Sequence, residues 1–316
     1  GITGRNIVIN GAMQVAQRST SETGLTSGTF ATMDRFRVSN TGRDEHVYTE
    51  AQVDDAPAGF VKSFKVTTTT AETSIDANDG FWVQHTIEGQ NLQHLQNGSS
   101  GALSTTLSFY VKSSQTGTFG VSLYKPDNTG RVINATYSIS SADTWEYKTI
   151  TFPGDTSGGG IDNNTGIGLY CVWHLAAGSN FDSVNSTSWA NYSTTNWAGG
   201  HAQDGVITTT NATWQITGVQ LEVGEVATAF EHRSFADELQ KCLRYYFDNV
   251  GSQERYTITK ARELDRNRAV QIPHPVPMRA TPTITKVTDA SNFTTTITTV
   301  DEFGSRASGN APSDGT

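Results

Sequence analysis

Apolar and polar residues alternate along much of the chain, most clearly in the stretches TLSFYVK, FGVSLYK, TWEYKTITF, GIGLYCVWHL and TWQITGVQLEV. In the first of these, the side chains of Leu107, Phe109 and Val111 lie on the same face of the predicted strand. Two earlier stretches, FVKSFKVTT and FWVQHTIEG, predict further strands around Val61 and Val83. Because a strand turns successive side chains to opposite faces, each stretch predicts a strand with one buried side.

The connections between these stretches are rich in Gly, Asn, Asp and Pro, as in ANDG, NGSSG, KPDNTG and FPGDTSGGGIDNNTG. Such residues form tight turns, because they tolerate or impose the backbone angles that turns require. Short alternating strands separated by turns at this spacing predict an all-β protein, a sandwich or jelly roll of antiparallel sheets.

The pattern changes to a helical period after Arg233. Ser234 is a suitable N-cap, and an apolar stripe follows at helical spacing. The stripe consists of Phe235, Leu239, Cys242, Leu243 and Tyr246. We therefore predict a β-sandwich over residues 1–233, a connecting helix over 234–247 and a small β-rich C-terminal unit over 248–316.

The predicted C-terminal unit contains two strand-like stretches, VPMRATPTITKVT and FTTTITTVDEF. It has few large apolar residues, so it makes a poor core alone. We expect it to complete its burial against the first domain or against another subunit.

Composition and charge exclude several classes of function. Only 17% of the 316 residues are charged, the net charge is −9, and no basic cluster offers a site for phosphates. No apolar run is long enough to span a bilayer. We therefore expect neither nucleic-acid binding nor membrane insertion. The chain begins with Gly1 rather than Met, so we expect a fragment, a processed product or the remnant of a tag.

The only two cysteines, Cys171 and Cys242, both fall on apolar sides of predicted elements. This position favours buried free thiols over a disulfide, and it fits synthesis in a reducing cytosol.

The segment from Ala177 to Ala202 lacks alternation and is long for a loop, and long loops within compact domains are usually functional. Aromatic rings and amide or carboxylate groups in it offer what a sugar requires, flat apolar faces with polar edges. The predicted ligand-binding residues are Trp189, Tyr192, Trp197, Asn191, Asn196, Asp204 and Trp82. Tyr110 and Tyr124, at outward strand positions, are further candidates. The alternative is that the rings pin the loop to the sandwich.

Two clusters of oxygen donors suit either Ca²⁺ or ordinary turns. They consist of Asp76, Asn78 and Asp79 in DANDG, and of Asp162, Asn163 and Asn164 in GGGIDNNTG. Neither follows the EF-hand spacing and no histidines show zinc-like spacing, so we expect no cofactor, with a structural Ca²⁺ as the open alternative.

The triplet Glu231, His232, Arg233 stands between the last sandwich strand and the helix. It is either an acid/base pair or a structural closure of the domain. No nucleophile elbow accompanies it and no pair of carboxylates stands out, so we predict no enzymatic activity.

An ordered set of motifs resembles a family of tailed-bacteriophage virion proteins of the tail-fibre or receptor-binding kind. The set comprises NIVINGAMQVAQRSTS, MDRFRV, HTIEGQNLQHLQNG, TLSFYVKSSQTGTFGVSLY, TWEYKTITFPGDTSG, GLYCVWHLAAGS and the run from Trp214 to Tyr246. The family pattern continues with a strand at Met278–Thr283. One departure is Thr228-Ala229-Phe230, where the family has Thr-Pro-Phe.

The resemblance implies a jelly roll similar to carbohydrate-binding modules and a homotrimer. We therefore predict a trimeric virion protein, assembled in the host cytoplasm, that binds a host surface polysaccharide through its loop aromatics and also contacts other virion proteins. The alternatives are a purely structural capsid-decoration or tail-adaptor protein and, less favoured, a polysaccharide depolymerase.

Overall fold

The computed structural model of the chain describes residues 4–247, 268–283, 294–299 and 303–310. The chain divides into two compact units, Gly1–Glu238 and Leu239–Thr316. The predicted division at residues 233 and 247 stays a prediction.

The regular elements of residues 4–247 are mostly strands. In chain order the strands are β1 Ser21–Leu25, β2 Phe36–Thr41, β3 Val47–Val53, β4 Ser63–Thr70, β5 Gly80–Glu88, β6 Thr105–Ser113, β7 Gly117–Lys125, β8 Arg131–Ile139, β9 Glu146–Phe152, β10 Ile167–Ala177, β11 Ala190–Asn191 and β12 Thr213–Val223. The α-helices are α1 Ser179–Asp182, α2 Gly205–Thr208 and α3 Phe235–Leu243. Single turns of 3₁₀ helix span Gly89–Asn91, Gln93–Leu95 and Thr194–Asn196.

These strands form two six-stranded sheets. The first sheet has the order β1-β3-β4-β12-β6-β9 and the second the order β11-β8-β7-β10-β5-β2. All neighbouring strands in both sheets run antiparallel. The predicted antiparallel jelly-roll β-sandwich is therefore confirmed.

The core lies between the two sheets and uses the side chains that the alternation predicts to face inward. Trp173, Trp214, Phe109 and Phe119 are fully buried there. Burial of each large apolar side chain stabilises the fold by roughly 1.5–3 kcal/mol. Trp145, just before β9, is only half-buried, and its ring is covered by the Lys112 ammonium.

Helix α3 begins as predicted, because the Ser234 hydroxyl accepts a hydrogen bond from the Asp237 amide at 3.2 Å. It ends earlier than predicted, at Leu243, where the Tyr245 amide bonds the Cys242 carbonyl in a tighter turn. The predicted apolar stripe is also incomplete, since the first ring, Phe235, is 54% exposed. Cys171 and Cys242 are both buried free thiols, as predicted.

The second unit contains a small antiparallel sheet in the order β13-β15-β14. Its strands are β13 Arg268–Pro273, β14 Thr294–Thr299 and β15 Gly304–Asn310. Strand β14 confirms the prediction for FTTTITTVDEF.

The predicted strand in VPMRATPTITKVT, including Met278–Thr283, is wrong as far as residue 283. Pro277 and Pro282 have no amide hydrogen to donate to a ladder. Instead, the Arg244 guanidinium donates to the Pro277 carbonyl at 3.0 Å and the Arg279 amide to the Arg244 carbonyl at 2.9 Å. Residues 284–288 of the predicted strand lie outside the described residues.

Candidate functional site

Residues 178–204 lie across the outer face of the second sheet. This segment contains α1, β11 and the 3₁₀ turn Thr194–Asn196, so it is built from short elements. The Ala198 amide donates to the Phe181 carbonyl and the Val184 amide to the Thr195 carbonyl, at 2.8 and 2.9 Å. The segment is thus folded back on itself and held by its own backbone.

Two buried polar residues of the sheet fasten the segment. The Asn134 amide group donates to the Asn196 carbonyl at 3.0 Å and its oxygen accepts from the Ser186 amide at 2.9 Å. The Ser122 hydroxyl donates to the Trp197 carbonyl at 2.9 Å. Because Asn134 and Ser122 alternate with core residues of β8 and β7, the strands themselves determine where the segment is attached.

The segment brings an aromatic cluster onto the sheet, with Trp197 at its centre. The ring centroid of Trp197 lies 5.6 Å from that of Trp82, 5.5 Å from Tyr124, 5.8 Å from Tyr192 and 5.7 Å from His174. Trp197 itself is only 9% exposed, whereas Tyr192 is 37% exposed. Trp197 is therefore the packing centre of the cluster, and Tyr192 is the ring that offers a face to solvent.

Of the predicted ligand residues, the structure brings together Trp82, Tyr192 and Trp197, and it adds the candidate Tyr124. Tyr124 and Tyr192 are neighbours, with ring centroids 4.7 Å apart. The candidate Tyr110 lies instead on β6 of the other sheet.

Trp189 is separate from this cluster. Its indole N–H donates to the Pro153 carbonyl at 2.6 Å, and its ring packs against the main core. This position corresponds to the alternative considered for the loop rings, in which they pin the loop to the sandwich.

The three predicted polar residues have different surroundings. Asn196 is buried and caps its own 3₁₀ turn, where its side chain accepts from the Ser193 amide at 2.9 Å. Asp204 accepts from the Ala177 amide at 3.0 Å and lies 3.4 Å from His201. Asn191 is exposed beside Tyr192, so it is the amide best placed at the edge of the cluster.

A buried ionic cluster positions Asn191. The Arg131 guanidinium donates to the Asn191 side-chain oxygen at 3.0 Å and binds Asp155 with two nitrogens, at 3.1 and 3.2 Å. Asp155 also pairs with Lys125 at 2.8 Å, and neither of these two side chains is exposed. Burial opposes ionisation of Asp155, but the hydrogen bonds from Arg131 and Lys125 outweigh it and hold the pKa of this carboxyl below its usual range.

The tyrosine and histidine groups of the cluster are neutral near pH 7. Burial raises the pKa of the Tyr124 hydroxyl, and the neighbouring Tyr192 and Tyr170 raise it further. Burial, and then the neighbouring His201, lower the pKa of His174 well below its ordinary value. The surface next to Tyr192 therefore presents neutral hydroxyls and ring faces.

Sequence reasoning missed His174, Ser122 and Asn134. Each occupies an outward position of a strand whose inward positions are apolar, so the alternation contained the signal. A polar, buried outward position indicates that something covers the sheet there, and the covering segment is 178–204.

Comparison with protein-family models and with curated proteins returns no match. Solved structures do match at low similarity. The enzymatically active domain of tailspike protein 4 of bacteriophage CBA120 is 14% identical with a TM-score of 0.38, over 70% of this chain and 22% of that one.

Two bacterial carbohydrate-binding modules of Clostridium thermocellum are similar to nearly the same extent. The C-terminal family 22 module of Xyn10B is 10% identical with a TM-score of 0.36, over 72% of this chain and 100% of the module. The family 11 module in complex with a mixed-linked tetrasaccharide is 11% identical with a TM-score of 0.32, over 68% and 99%. All three TM-scores are below 0.5, so the function of this chain has to be inferred from its own residues.

The triplet Glu231, His232, Arg233 closes the sandwich. Glu231 accepts from the backbone amide of Asn6 at 2.7 Å, and Arg233 donates to the Val8 carbonyl at 3.1 Å. Burial opposes ionisation of Glu231, but hydrogen bonds from the backbone amides of Asn6 and Gly4 outweigh it and lower the pKa of the carboxyl.

The carboxylate partner of Arg233 lies on α3. Arg233 pairs with Glu238 of α3 at 2.9 Å, and Glu238 accepts from the Asn10 amide at 2.6 Å. The triplet thus ties residues 4–10 to residues 231–238, which is the structural interpretation of the two considered.

Among the residues that the structure describes, no group of three or more His, Cys, Asp or Glu side chains could hold a metal ion. Asp79 accepts from the Asp76 amide at 2.8 Å, and Asn164 accepts from the Gly166 amide at 2.7 Å. Both clusters therefore use their oxygens in turns. No helix in the described ranges is both long and apolar enough to cross a membrane.

Proposed function

We propose that this chain is a non-catalytic carbohydrate-binding component of a tailed-phage virion, of the tail-fibre or receptor-binding kind. The observation that carries the proposal is the set of rings on the second sheet, in which the exposed Tyr192 lies against Tyr124 beside Trp82. Sugars have apolar C–H faces that stack on such rings and hydroxyls that bond neutral polar groups such as Asn191.

The virion assignment is supported by the ordered motifs that resemble the phage family. Trimerisation would multiply weak sugar contacts, because the second and third binding events become intramolecular and avidity can exceed single-site affinity by roughly 10²–10⁴. The partners proposed are a host surface polysaccharide, two further copies of the chain and other virion proteins.

The test is retention of the fluorescently labelled protein on host cells and on a glycan array, with Tyr192→Ala as the variant. Loss of the exposed ring is expected to weaken binding about tenfold, as for a central aromatic contact. Phe235→Ala is the matched control, because it removes another exposed ring, on α3, and should bind like the parent. Equal retention of the Tyr192→Ala variant would exclude this site, and no retention of the parent would favour the architectural alternative.

One observation favours depolymerase activity as a second candidate. Burial raises the pKa of Asp182, and the nearby Asp204 carboxylate raises it further. A carboxyl group whose pKa is raised beside a second carboxylate is what general acid catalysis of glycoside hydrolysis requires.

This second candidate predicts new reducing ends when the protein is incubated with host polysaccharide. Asp182→Asn and Asp204→Asn should then abolish their release, and Asp237→Asn should not. A parent protein that binds the polysaccharide and releases no reducing ends contradicts the candidate.

A further inference from the structure

A second row of aromatic rings crosses the outer face of the first sheet. It runs from Tyr147 on β9 to Tyr110 on β6, and then to Phe60, Phe230 and His232. Successive ring centroids are 4.8 Å apart for Tyr147–Tyr110, 5.5 Å for Tyr110–Phe60 and 5.0 Å for Phe60–Phe230. His232 lies 4.9 Å from Phe230 and 5.2 Å from Phe60. These five residues are called the first-sheet strip below.

The backbone of β12 is shaped to admit these rings. The pairing of β12 with β6 shifts between Thr217 and Gln220, and Gly218 within the shift has a φ of +62°. A Cβ atom on Gly218 would lie 2.7 Å from the Phe60 ring and 3.0 Å from the Tyr110 ring. Only glycine therefore lets both rings lie directly on the strand.

The first-sheet strip is a surface feature. Tyr147 is 46% exposed and His232 is exposed, while Phe60, Tyr110 and Phe230 are half-buried. Val61 next to Phe60 is exposed as well. Each of these rings thus keeps part of its surface in contact with solvent.

The groups around the strip are hydroxyls and paired charges. Thr149 and Thr151 project from β9 beside Tyr147 and are exposed. At the Tyr147 end, Lys112 pairs with Asp55, which also accepts from the indole N–H of Trp145 at 3.2 Å. Because this lysine is neutralised by a carboxylate, that end offers little attraction to an ionic ligand.

This composition identifies the ligand by its chemistry. Val61 is an exposed aliphatic residue next to Phe60, whereas Thr149 and Thr151 place hydroxyls beside Tyr147 at the other end of the strip. Flat rings bordered by hydroxyls suit a neutral pyranose chain, whose C–H faces stack while its hydroxyls bond at the edges. Neighbouring rings are tilted by 43° and 58°, which suits a single twisted chain and not a flat crystalline surface.

We propose that the first-sheet strip is a second carbohydrate-binding surface, which takes a single chain of a neutral polysaccharide. It lies on the opposite sheet from Tyr192 and does not depend on the site proposed there. One protomer then has two separate surfaces for sugar chains.

The experiment is affinity gel electrophoresis of the full chain in soluble polysaccharides. The probes are mixed-linkage β-glucan, xylan, galactan and mannan, with alginate as the uronate-containing comparison. We expect at least one neutral polymer to retard the protein, and raised salt to leave the retardation unchanged, because no charges are matched. Retardation by alginate alone, or by none of the probes, would overturn the proposal.

Variants separate the two surfaces. In a Tyr192→Ala background, retardation should persist, and Tyr147→Ala added to it should weaken binding about tenfold. Tyr147→Phe keeps the ring and should bind like its background, as should Phe235→Ala. Tyr147 lies on an edge strand and is 46% exposed, so the melting temperature of the variants should stay close to that of the parent.

Two results would overturn the assignment. The first is retardation that vanishes with Tyr192→Ala alone, since the strip would then bind nothing. The second is a Tyr147→Ala protein with unchanged retardation and a lower mass in solution by light scattering, because the strip would then join two copies of the chain. If Tyr192→Ala leaves the retardation unchanged while Tyr147→Ala weakens it, only the proposed site at Tyr192 is refuted.

Discussion

At the scale of single residues, Glu50 is a carboxyl group in surroundings that disfavour its charged form. It is fully buried in β3, where it accepts a hydrogen bond from the Thr32 hydroxyl at 3.4 Å. One carboxyl oxygen has no hydrogen-bond partner. Burial therefore raises the pKa of Glu50 to about 8, so the folded protein keeps this carboxyl protonated near neutral pH.

This residue predicts a loss of stability as the pH rises from about 4.5 to about 8. The folded pKa lies above the ordinary value of 4.5, so the stabilising effect of the proton is complete below pH 4.5 and is lost as the pH rises through about 8. The free energy of unfolding should fall by up to about 1.4 kcal/mol per pH unit in that window. Urea unfolding at pH 5 and pH 8.5 measures it.

Glu50→Gln should remove most of this dependence and be more stable than the parent at pH 8.5. Glu225→Gln, at an exposed position, is the control and should keep the parental slope. A parent whose stability is flat between pH 5 and pH 8.5 would show that Glu50 is ionised at little cost.

At the scale of elements, the attachment of residues 178–204 depends on a few side chains of the sheet beneath. Asn134 is buried and bonds both the Asn196 carbonyl and the Ser186 amide. Its removal would leave both backbone groups without partners, and each such loss costs roughly 1–3 kcal/mol.

We therefore expect Asn134→Ala to loosen the segment before it unfolds the sandwich. Hydrogen exchange of residues 179–197 should become faster, while that of β10 and β12 stays close to the parent. Thr136→Ala, two residues along the same strand at an exposed position, is the matched control. Unchanged exchange in the Asn134→Ala protein would mean that the segment holds itself in place without the sheet.

Elements with a regular apolar side were predictable, and elements held by backbone pairing were not. The inward side of β6, β7, β10 and β12 follows directly from alternation. Strand β15, with the sequence GSRASGN, has no apolar pattern and is a strand because it pairs with β13 and β14. Strand β1 is exposed and equally featureless.

The candidate site was predictable in its residue types and not in its arrangement. The chemistry of Tyr192 and Trp197 could be read from the loop composition. The loop composition does not show which of the two rings is buried. That depends on packing against Trp82 and Tyr124, which belong to strands far away in the chain. Long-range packing of this kind leaves no local pattern.

At the scale of the whole molecule, the predicted trimer would carry three copies of each proposed sugar surface, and several copies together bind a polysaccharide with higher avidity than one. We expect light scattering to give about three times the chain mass of 34.1 kDa. We also expect the mass to stay constant on dilution through the micromolar range. A single-chain mass at those concentrations would contradict the trimer and leave each surface with its intrinsic affinity.

The tie between residues 4–10 and 231–238 has a mechanical consequence. Arg233 and Glu231 fasten the segment that leads into the sandwich beside the segment that leads out of it. A tension applied at these two points is borne first by these polar contacts and by the backbone hydrogen bonds that Ile7 and Gly11 form with β12. In an optical trap, the domain would hold its length until those contacts part and would lengthen only afterwards.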